Sequence, residues 1–368
     1  MNIWVVNCVA AFLLSVFFAG IVIPQILLIA FRKQLFDTID ERKIHTSVVP
    51  RLGGIAFKPV IMFSLVVLYG VNVVLGHNEL SAQIAQNGVT VAFTYCSVML
   101  LFLSGMADDL VGIRYSAKFV IQILCGVMMI AGGLWVSNFH GALFIGEVPA
   151  WIGYPFTVLL AVFIINAFNL IDGIDGLASG LSSMACLFFG IVYFTLGEYP
   201  YAMLAFATLG VLVQFFYYNV FGNPEKQKKI FMGDTGSLTI GMIICILSVK
   251  MASMNEEATQ WVNPMVLAFS PLLVPCCDVV RVYFHRVRHG KNPFLPDKNH
   301  IHHKLLAMGL PQRVAMITIV TVSLLFTVVN VWLSKYLDVT LIFVIDLAVW
   351  TLGNIWLSKQ IAKRNSDK

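Results

Sequence analysis

Charge is what this sequence has least of. Lys, Arg, Asp and Glu together make up 12% of its 368 residues, while 59% are apolar; an average soluble domain carries about 25% charged residues and about 45–50% apolar ones. With a mean hydropathy of +0.84, too little polar surface remains to cover a water-soluble globule. An ordinary soluble enzyme, a disordered chain and a nucleic-acid-binding module are thereby excluded, and no nucleic-acid partner is expected. Paired cysteines are also missing. Cys8, Cys96, Cys125, Cys186, Cys245, Cys276 and Cys277 all lie inside apolar runs without C-x-x-C spacing, so neither a disulfide framework nor a zinc site is implied. There is no Walker A loop and no kinase glycine loop. The first apolar run lacks a basic n-region and an A-x-A site, which separates it from a secretory signal.

Long apolar runs, by contrast, are plentiful. A membrane span needs about 20 apolar residues. Such runs occur near 3–31, 53–75, 89–105, 117–136, 150–166, 177–197, 200–219, 235–252, 262–284, 313–334 and 338–358. The expected fold is therefore an all-α polytopic integral membrane protein of about 11 transmembrane helices, forming one transmembrane domain over residues 1–368. Eleven spans divide the loops between two sides, and of the 24 Lys and Arg residues all but Lys58, Lys250 and Lys335 fall on one of them. The positive-inside rule makes that side cytoplasmic, which places the N-terminus outside and the C-terminus inside.

The same side collects the unusual polar residues. Asp108-Asp109 follows the third span. The stretch Asn166-Ala-Phe-Asn169-Leu-Ile-Asp172-Gly-Ile-Asp175-Gly176 follows the fifth. Phe231-Met-Gly-Asp234 enters the eighth, and His300-Ile-His302-His303 lies between the ninth and tenth. Ionisable groups at a membrane edge are costly and mark function. Adjacent carboxylates at 108 and 109 repel unless a cation relieves them, and they suit general-base work; a solvated acidic helix end is the plain alternative. Amide and carboxylate oxygens spaced by three, with glycines between, offer the hard ligands that Mg²⁺ prefers. Asp234 reads either as the N-cap of the eighth span or as a metal ligand beside a phosphate. Three imidazoles among Lys and Arg suit a diphosphate, and the basic tract from Arg281 to Lys304 also suits anionic membrane lipid headgroups. Together these are the parts of phosphoryl transfer, where positioning and charge neutralisation dominate.

On these residues, together with Arg51-Leu-Gly-Gly54, the chain resembles the polyprenyl-phosphate N-acetylhexosamine-1-phosphate transferases (glycosyltransferase family 4 type). This is the superfamily of phospho-N-acetylmuramoyl-pentapeptide transferase and dolichyl-phosphate GlcNAc-1-phosphotransferase. The His-Ile-His-His ending resembles the bacterial branch that uses undecaprenyl phosphate and UDP-GlcNAc. The resemblance implies transfer of N-acetylhexosamine 1-phosphate, chiefly GlcNAc 1-phosphate, from a UDP-sugar to a polyprenyl phosphate with release of UMP. That is the initiating step of a cell-envelope glycan such as lipopolysaccharide O-antigen or cell wall polymer, carried out at the bacterial inner (cytoplasmic) membrane. It implies Mg²⁺, with Mn²⁺ as a substitute, held by Asp234 and Asn169. It implies a base at Asp108 with Asp109 as its partner, and Asp172 beside them in the catalytic group. Lys118 would bind phosphate, Phe231 would stack on uracil, Asp175 would read the uridine edge, and His300, His302 and His303 would form the diphosphate-binding loop. A homodimer is compatible with the family. Lys43 and His45 fall in the first cytoplasmic loop without an assigned role. A transporter of a nucleotide-linked or phosphorylated solute and a lipid diphosphate hydrolase are the competing readings. A transporter needs ionisable groups near mid-membrane, where this chain offers only Asp346, with Asp278 nearer the cytoplasmic end.

Overall fold

The computed structural model describes residues 3–35, 49–259, 262–290 and 299–366. Lys43 and His45 lie outside the described residues, as do the basic residues at 291 and 298. The chain runs α1 (Ile3–Arg32), a 3-10 turn (Gly53–Ala56), α2 (Phe57–Val74), α3 (Glu79–Gln86), α4 (Gly88–Val111), α5 (Tyr115–Ala131), α6 (Ala150–Leu170), α7 (Leu177–Thr195) and α8 (Tyr199–Phe216). It continues with α9 (Gly233–Ala252), α10 (Glu256–Thr259), α11 (Pro264–Phe269), α12 (Leu273–Arg288), α13 (Ile301–Ala307), α14 (Gln312–Leu333) and α15 (Val339–Ser366). Among the described residues the elements are all helical, apart from one isolated bridge between Asn138 and Glu147. Ten helical segments are long and apolar enough to cross a membrane. The eleventh expected span, α5, is apolar but only 17 residues long, because Gly132-Gly133 ends it where the sequence run continued to Val136. Pro264–Arg288, read as one span, is broken by a turn at Ser270-Pro271 into α11 and α12.

At the centre stands α9. Its apolar residues go all the way round rather than forming one stripe, and 94% of its most apolar window is buried; a helix apolar on every side belongs inside. It is flanked by α4, α6 and α11, while α8 holds α1 and α7 on its two sides. The outer helices show the opposite pattern. On α1, Val5, Val9, Leu13, Phe17 and Ile21 are exposed at helical spacing while Ala11, Ala19 and Ile23 are buried, as expected where the solvent is lipid. Between helices, polar pairs supply the attraction that lipid does not. The Asn7 and Asn72 amides exchange hydrogen bonds of 2.9 and 3.1 Å, and Ser15 donates to Ser64 at 3.0 Å. Asn330 donates to Asp346 at 2.7 Å, which gives the one deep carboxylate a partner on α14. Lys250, one of the three basic residues that break the charge segregation, pairs with Glu198 at 3.1 Å.

Two close approaches bring chain segments to one end of the bundle. A Cβ placed on Gly105 of α4 would stand 2.5 Å from Thr235 Cα and 2.8 Å from the Asp234 carbonyl oxygen, so α4 meets the start of α9 with no side chain between. Gly54 meets Gly236 in the same way, while Gly53 and Gly54 donate to the carbonyls of Phe231 and Met232 at 3.0 and 2.9 Å. Here the Arg-Leu-Gly-Gly turn earns its glycines. Replacing Gly105 by Ala forces α4 and α9 apart at the turn that carries Asp108; overpacking of this kind costs about 1–3 kcal/mol. Gly105→Ala is expected to lower the unfolding temperature and to cut turnover at least tenfold. Gly70→Ala, on an open face of α2 where a Cβ meets nothing, should leave both unchanged.

Candidate active site

Four helix ends converge where α4 stops, α5 starts, α6 stops and α9 starts. The Lys118 ammonium, on the first turn of α5, lies 2.5 Å from Asp108 Oδ2 and 2.5 Å from Asp234 Oδ2. Asp108 Oδ1 accepts from the Ile113 N–H at 2.7 Å. Asn169, at the end of α6, donates through Nδ2 to Asp234 Oδ1 at 3.3 Å and to Ser237 Oγ at 2.8 Å. Asp108, Lys118, Asn169 and Asp234 thus form one network from four helices, with side chains 15–30% exposed where measured for the three charged groups. Asp234 does not cap its own helix: it is the second residue of α9, and the helix shows no side-chain cap bond.

The cap comes from elsewhere. Asp109 turns away from Asp108 and accepts from the Asp234 N–H at 2.8 Å, the Thr235 N–H at 2.9 Å and Thr235 Oγ1 at 2.6 Å. A carboxylate on free N–H groups at a helix N-terminus is favourable on both hydrogen-bond and dipole grounds. The expected side-by-side pair is therefore divided. Asp108 faces the cation, and Asp109 fastens α4 to α9 and fixes the backbone of Asp234.

Asp172 opens onto the cleft but is otherwise walled in by protein. Loss of hydration, then the negative charges of Asp234, Asp175 and Asp109, push its carboxyl up to about 7, with Arg51 opposing. Asp175 is tied to Lys229 at 2.6 Å, and the same ammonium lies 5.8 Å from the Phe231 ring centre. These residues come from the loop after α6 and from the segment before α9. Asn219 joins the two: its Oδ1 accepts from the Gly176 N–H at 2.7 Å and its Nδ2 donates to the Ile230 carbonyl at 2.9 Å. It sits in a π-turn, Tyr217–Phe221, at the end of α8, a backbone form often found at functional sites.

The histidines sit against the other side of the Asp172 loop. His302 is 1% exposed, and neither of its ring nitrogens has a hydrogen-bond partner among the described residues. A side chain on Gly173 would collide with His302 Nε2, so the ring lies directly on that backbone. It is parallel to the His300 ring within 5°, with centroids 5.8 Å apart, and 4.2 Å from the His303 ring. Burial, then the neighbouring His303 and His300, lower its pKa to about 3. His302 is therefore a neutral imidazole at ordinary pH rather than a cation. His300 is also buried and donates from Nδ1 to Asp278 at 2.9 Å. Lys304, whose pKa burial lowers to about 8, ties α13 to Ser358 of α15 at 3.0 Å.

All eleven residues singled out from the sequence have a described place. Asp108, Lys118, Asn169 and Asp234 share one network; Asp175 and Phe231 share Lys229; His302 meets Gly173 beside Asp172, with the His303 ring against it; Asp109 and His300 act on neighbouring protein groups. Sequence reading passed over Lys229, seen only as one charge in a basic run, and Asn219, a single amide inside an apolar stretch. The oxygen donors of Asp108, Asn169 and Asp234 suit a hard cation. Among the described residues, no three His, Cys, Asp or Glu side chains are gathered tightly enough to hold a metal alone.

A sequence profile described as Glycosyl transferase family 4 matches residues 91–252. Over 357 residues the chain is 29% identical to a protein of Bacillus subtilis (strain 168) named probable undecaprenyl-phosphate N-acetylglucosaminyl 1-phosphate transferase, covering 95% of this chain and 93% of the relative. It is 30% identical over 313 residues to the undecaprenyl-phosphate alpha-N-acetylglucosaminyl 1-phosphate transferase of Escherichia coli (strain K12), covering 84% and 78%. The Yersinia pestis protein of that name is 29% identical, covering 82% and 78%.

The two aspartates at the α9 start should separate in mutagenesis. Asp109→Asn turns an amide donor toward backbone donors and should lower the unfolding temperature, at a cost of about 1–3 kcal/mol. Asp234→Asn should leave the unfolding temperature nearly unchanged and abolish turnover. Thermal unfolding and turnover measured on both variants check this, and equal stability loss in the two would contradict the division of roles.

Proposed function

The chain belongs to glycosyl transferase family 4, and we infer that it is a phosphotransferase that moves GlcNAc 1-phosphate from UDP-GlcNAc to undecaprenyl phosphate. The observation that carries this reading is the Asp108–Lys118–Asp234–Asn169 network at one end of a membrane bundle, beside a buried His302 whose two ring nitrogens have no partner among the described residues. A lipid acceptor needs a site at the membrane edge, and both reactants are anionic. An oxygen of the acceptor phosphate attacks the sugar-bearing phosphorus of the donor. The bond from that phosphorus to the bridging oxygen breaks, UMP leaves with the bridging oxygen, and undecaprenyl-diphospho-GlcNAc remains. One phosphoanhydride replaces another.

The chain's own groups have distinct parts in this. Lys118 lowers the repulsion between the two phosphates, a large effect where water is scarce. Asp108, held by Lys118 and the Ile113 N–H, takes up a proton from the acceptor when it arrives as a monoanion. Asp172, with a pKa of about 7, is a second group able to exchange a proton near neutrality. His302 serves the donor diphosphate as a neutral N–H donor. Phe231 stacks on the base, and Asp175 with Lys229 reads its edge. Asp234 and Asn169 would hold Mg²⁺, which when bound neutralises charge on the donor diphosphate. The segregation of Lys and Arg supports an inner-membrane protein with this site on the cytoplasmic side. Gathering of the ionisable groups at one end of the bundle disfavours a transport pathway.

Radiolabelled UDP-GlcNAc incubated with the purified protein should yield organic-extractable label only when undecaprenyl phosphate is present, with UMP released one for one. Release of water-soluble sugar phosphate without lipid would replace the transferase reading by a hydrolase. Cation dependence adds a pH signature. Asp172 is protonated below about 7 and ionised above it, so raising the pH adds negative charge beside the cation site. The Mg²⁺ concentration for half-maximal activity should fall several-fold between pH 6 and pH 8, because ligands compete with protons. Asp172→Asn should flatten that dependence.

A further inference from the structure

Asp278 lies on α12 and is fully buried, and so far it has appeared only as the acceptor for His300. Its two oxygens receive an unusual concentration of donors. Arg281, one turn later, donates to Oδ1 from Nη2 at 2.7 Å and from Nε at 3.2 Å. The Ile301 N–H lies 3.1 Å from both oxygens, and His300 Nδ1 lies 2.9 Å from Oδ2. Arg281 Nη2 also donates to the Asn299 carbonyl at 2.5 Å. One carboxylate and its guanidinium therefore hold three consecutive residues, 299 to 301, immediately before His302. Burying a carboxylate is expensive unless every lone pair is met, and here Arg281 shares that task with donors from the histidine segment itself. The bond also dictates protonation: a carboxylate at Nδ1 requires the hydrogen on Nδ1. The fixed His300 ring then lies parallel to His302, which also meets the His303 ring and the Gly173 backbone.

We propose that Asp278 is a positioning residue for the donor site, acting through His300 to hold His302 against the Asp172–Gly173 loop. The proposal rests on the reading that His302 meets the donor diphosphate. Asp278 touches no substrate; it fixes where a substrate-facing imidazole stands. His302 is neutral and makes no hydrogen bond among the described residues, so neither charge nor bonding of its own holds it in place. Contact with rings and backbone remains, and through His300 Asp278 fixes one of those rings.

Steady-state kinetics of the purified full-length protein test this. Asp278→Asn keeps the size of the side chain and one acceptor oxygen but turns an amide donor toward donors. It should raise the KM for UDP-GlcNAc at least fivefold while leaving the KM for undecaprenyl phosphate within twofold and kcat within threefold. His300→Phe keeps a ring to stack on His302 but severs the bond to Asp278, and should give a similar rise even if the aspartate variant does not fold. Because both act on one path, the double variant should show no higher donor KM than the larger single effect. An unchanged donor KM in Asp278→Asn, with loss confined to kcat or unfolding temperature, overturns the proposal and leaves Asp278 a packing residue. His302→Ala separates the layers. If it raises donor KM and Asp278→Asn does not, only this proposal fails; if His302→Ala itself keeps the wild-type donor KM, the underlying assignment of His302 fails with it.

Discussion

The site depends on one ammonium group between two carboxylates. Lys118 approaches Asp108 and Asp234 equally, at 2.5 Å, and these three residues sit on helices that reach the site from both directions through the bundle. Without the lysine, two negative charges would face each other at the edge of a low-dielectric slab, where repulsion is several times stronger than in water. Among the described residues, negative charge stays in excess even so: Asp172, Asp109 and Asp175 add further carboxylates, and Lys229 and Arg51 stand against them. On the proposed reading, this negative charge is what a bound divalent cation would offset. Loss of hydration is the main reason the Asp172 carboxyl titrates high, and the carboxylates around it add to the effect.

How closely these groups can approach is set by what the helices lack. Gly105 lets α4 lie directly on Thr235, and Gly54 lets the turn before α2 lie on Gly236. Those contacts bring the last turn of α4 beside the first turn of α9, and Asp109 then locks them by taking two backbone N–H groups and a hydroxyl. The order of causes runs from missing side chains, to backbone contact, to a cap supplied across helices, to the placement of Asp108 and Asp234 around one lysine. A larger residue at 105 acts on the chemistry from a distance, because it moves the frame on which the charges are mounted.

Much of this was legible in the sequence, and the exceptions are instructive. Hydropathy locates the spans because lipid demands long apolar runs, and charge segregation orders the loops because parity is global; both signals sum over many residues. The polar clusters at 108–109, 166–176, 231–234 and 300–303 were visible because polar residues are rare here. Individual roles were less visible. Asp108 and Asp109 are chemically identical neighbours, and only the 100° turn per helical residue sends one to Lys118 and the other to the α9 backbone. His302 reads as a cation beside Lys and Arg, but burial makes it neutral. Asn219 carries no local pattern at all, since its partners at 176 and 230 are remote in sequence. Length misled once: α5 ends at a Gly-Gly pair before the apolar run does, because backbone freedom there outweighs hydrophobicity.

The two halves of the cleft are supported by different physics, and the difference follows from what each must do. Around Lys118 the contacts are charged, short and partly exposed, so their strength responds to whatever ions enter. Around His302 they are ring faces and backbone, buried and neutral, with the charge moved one residue away to the Asp278–Arg281 pair. A neutral imidazole held this way presents the same face whether or not a phosphate is present, since nothing in its own ionisation resists or rewards movement. On the proposed reading of His302, the rigid side defines where a diphosphate lies, while the ionic side adjusts to the charge that arrives. A site made only of ion pairs would rearrange with every change in occupancy. One made only of stacked rings would have no means of offsetting the charge of two phosphates.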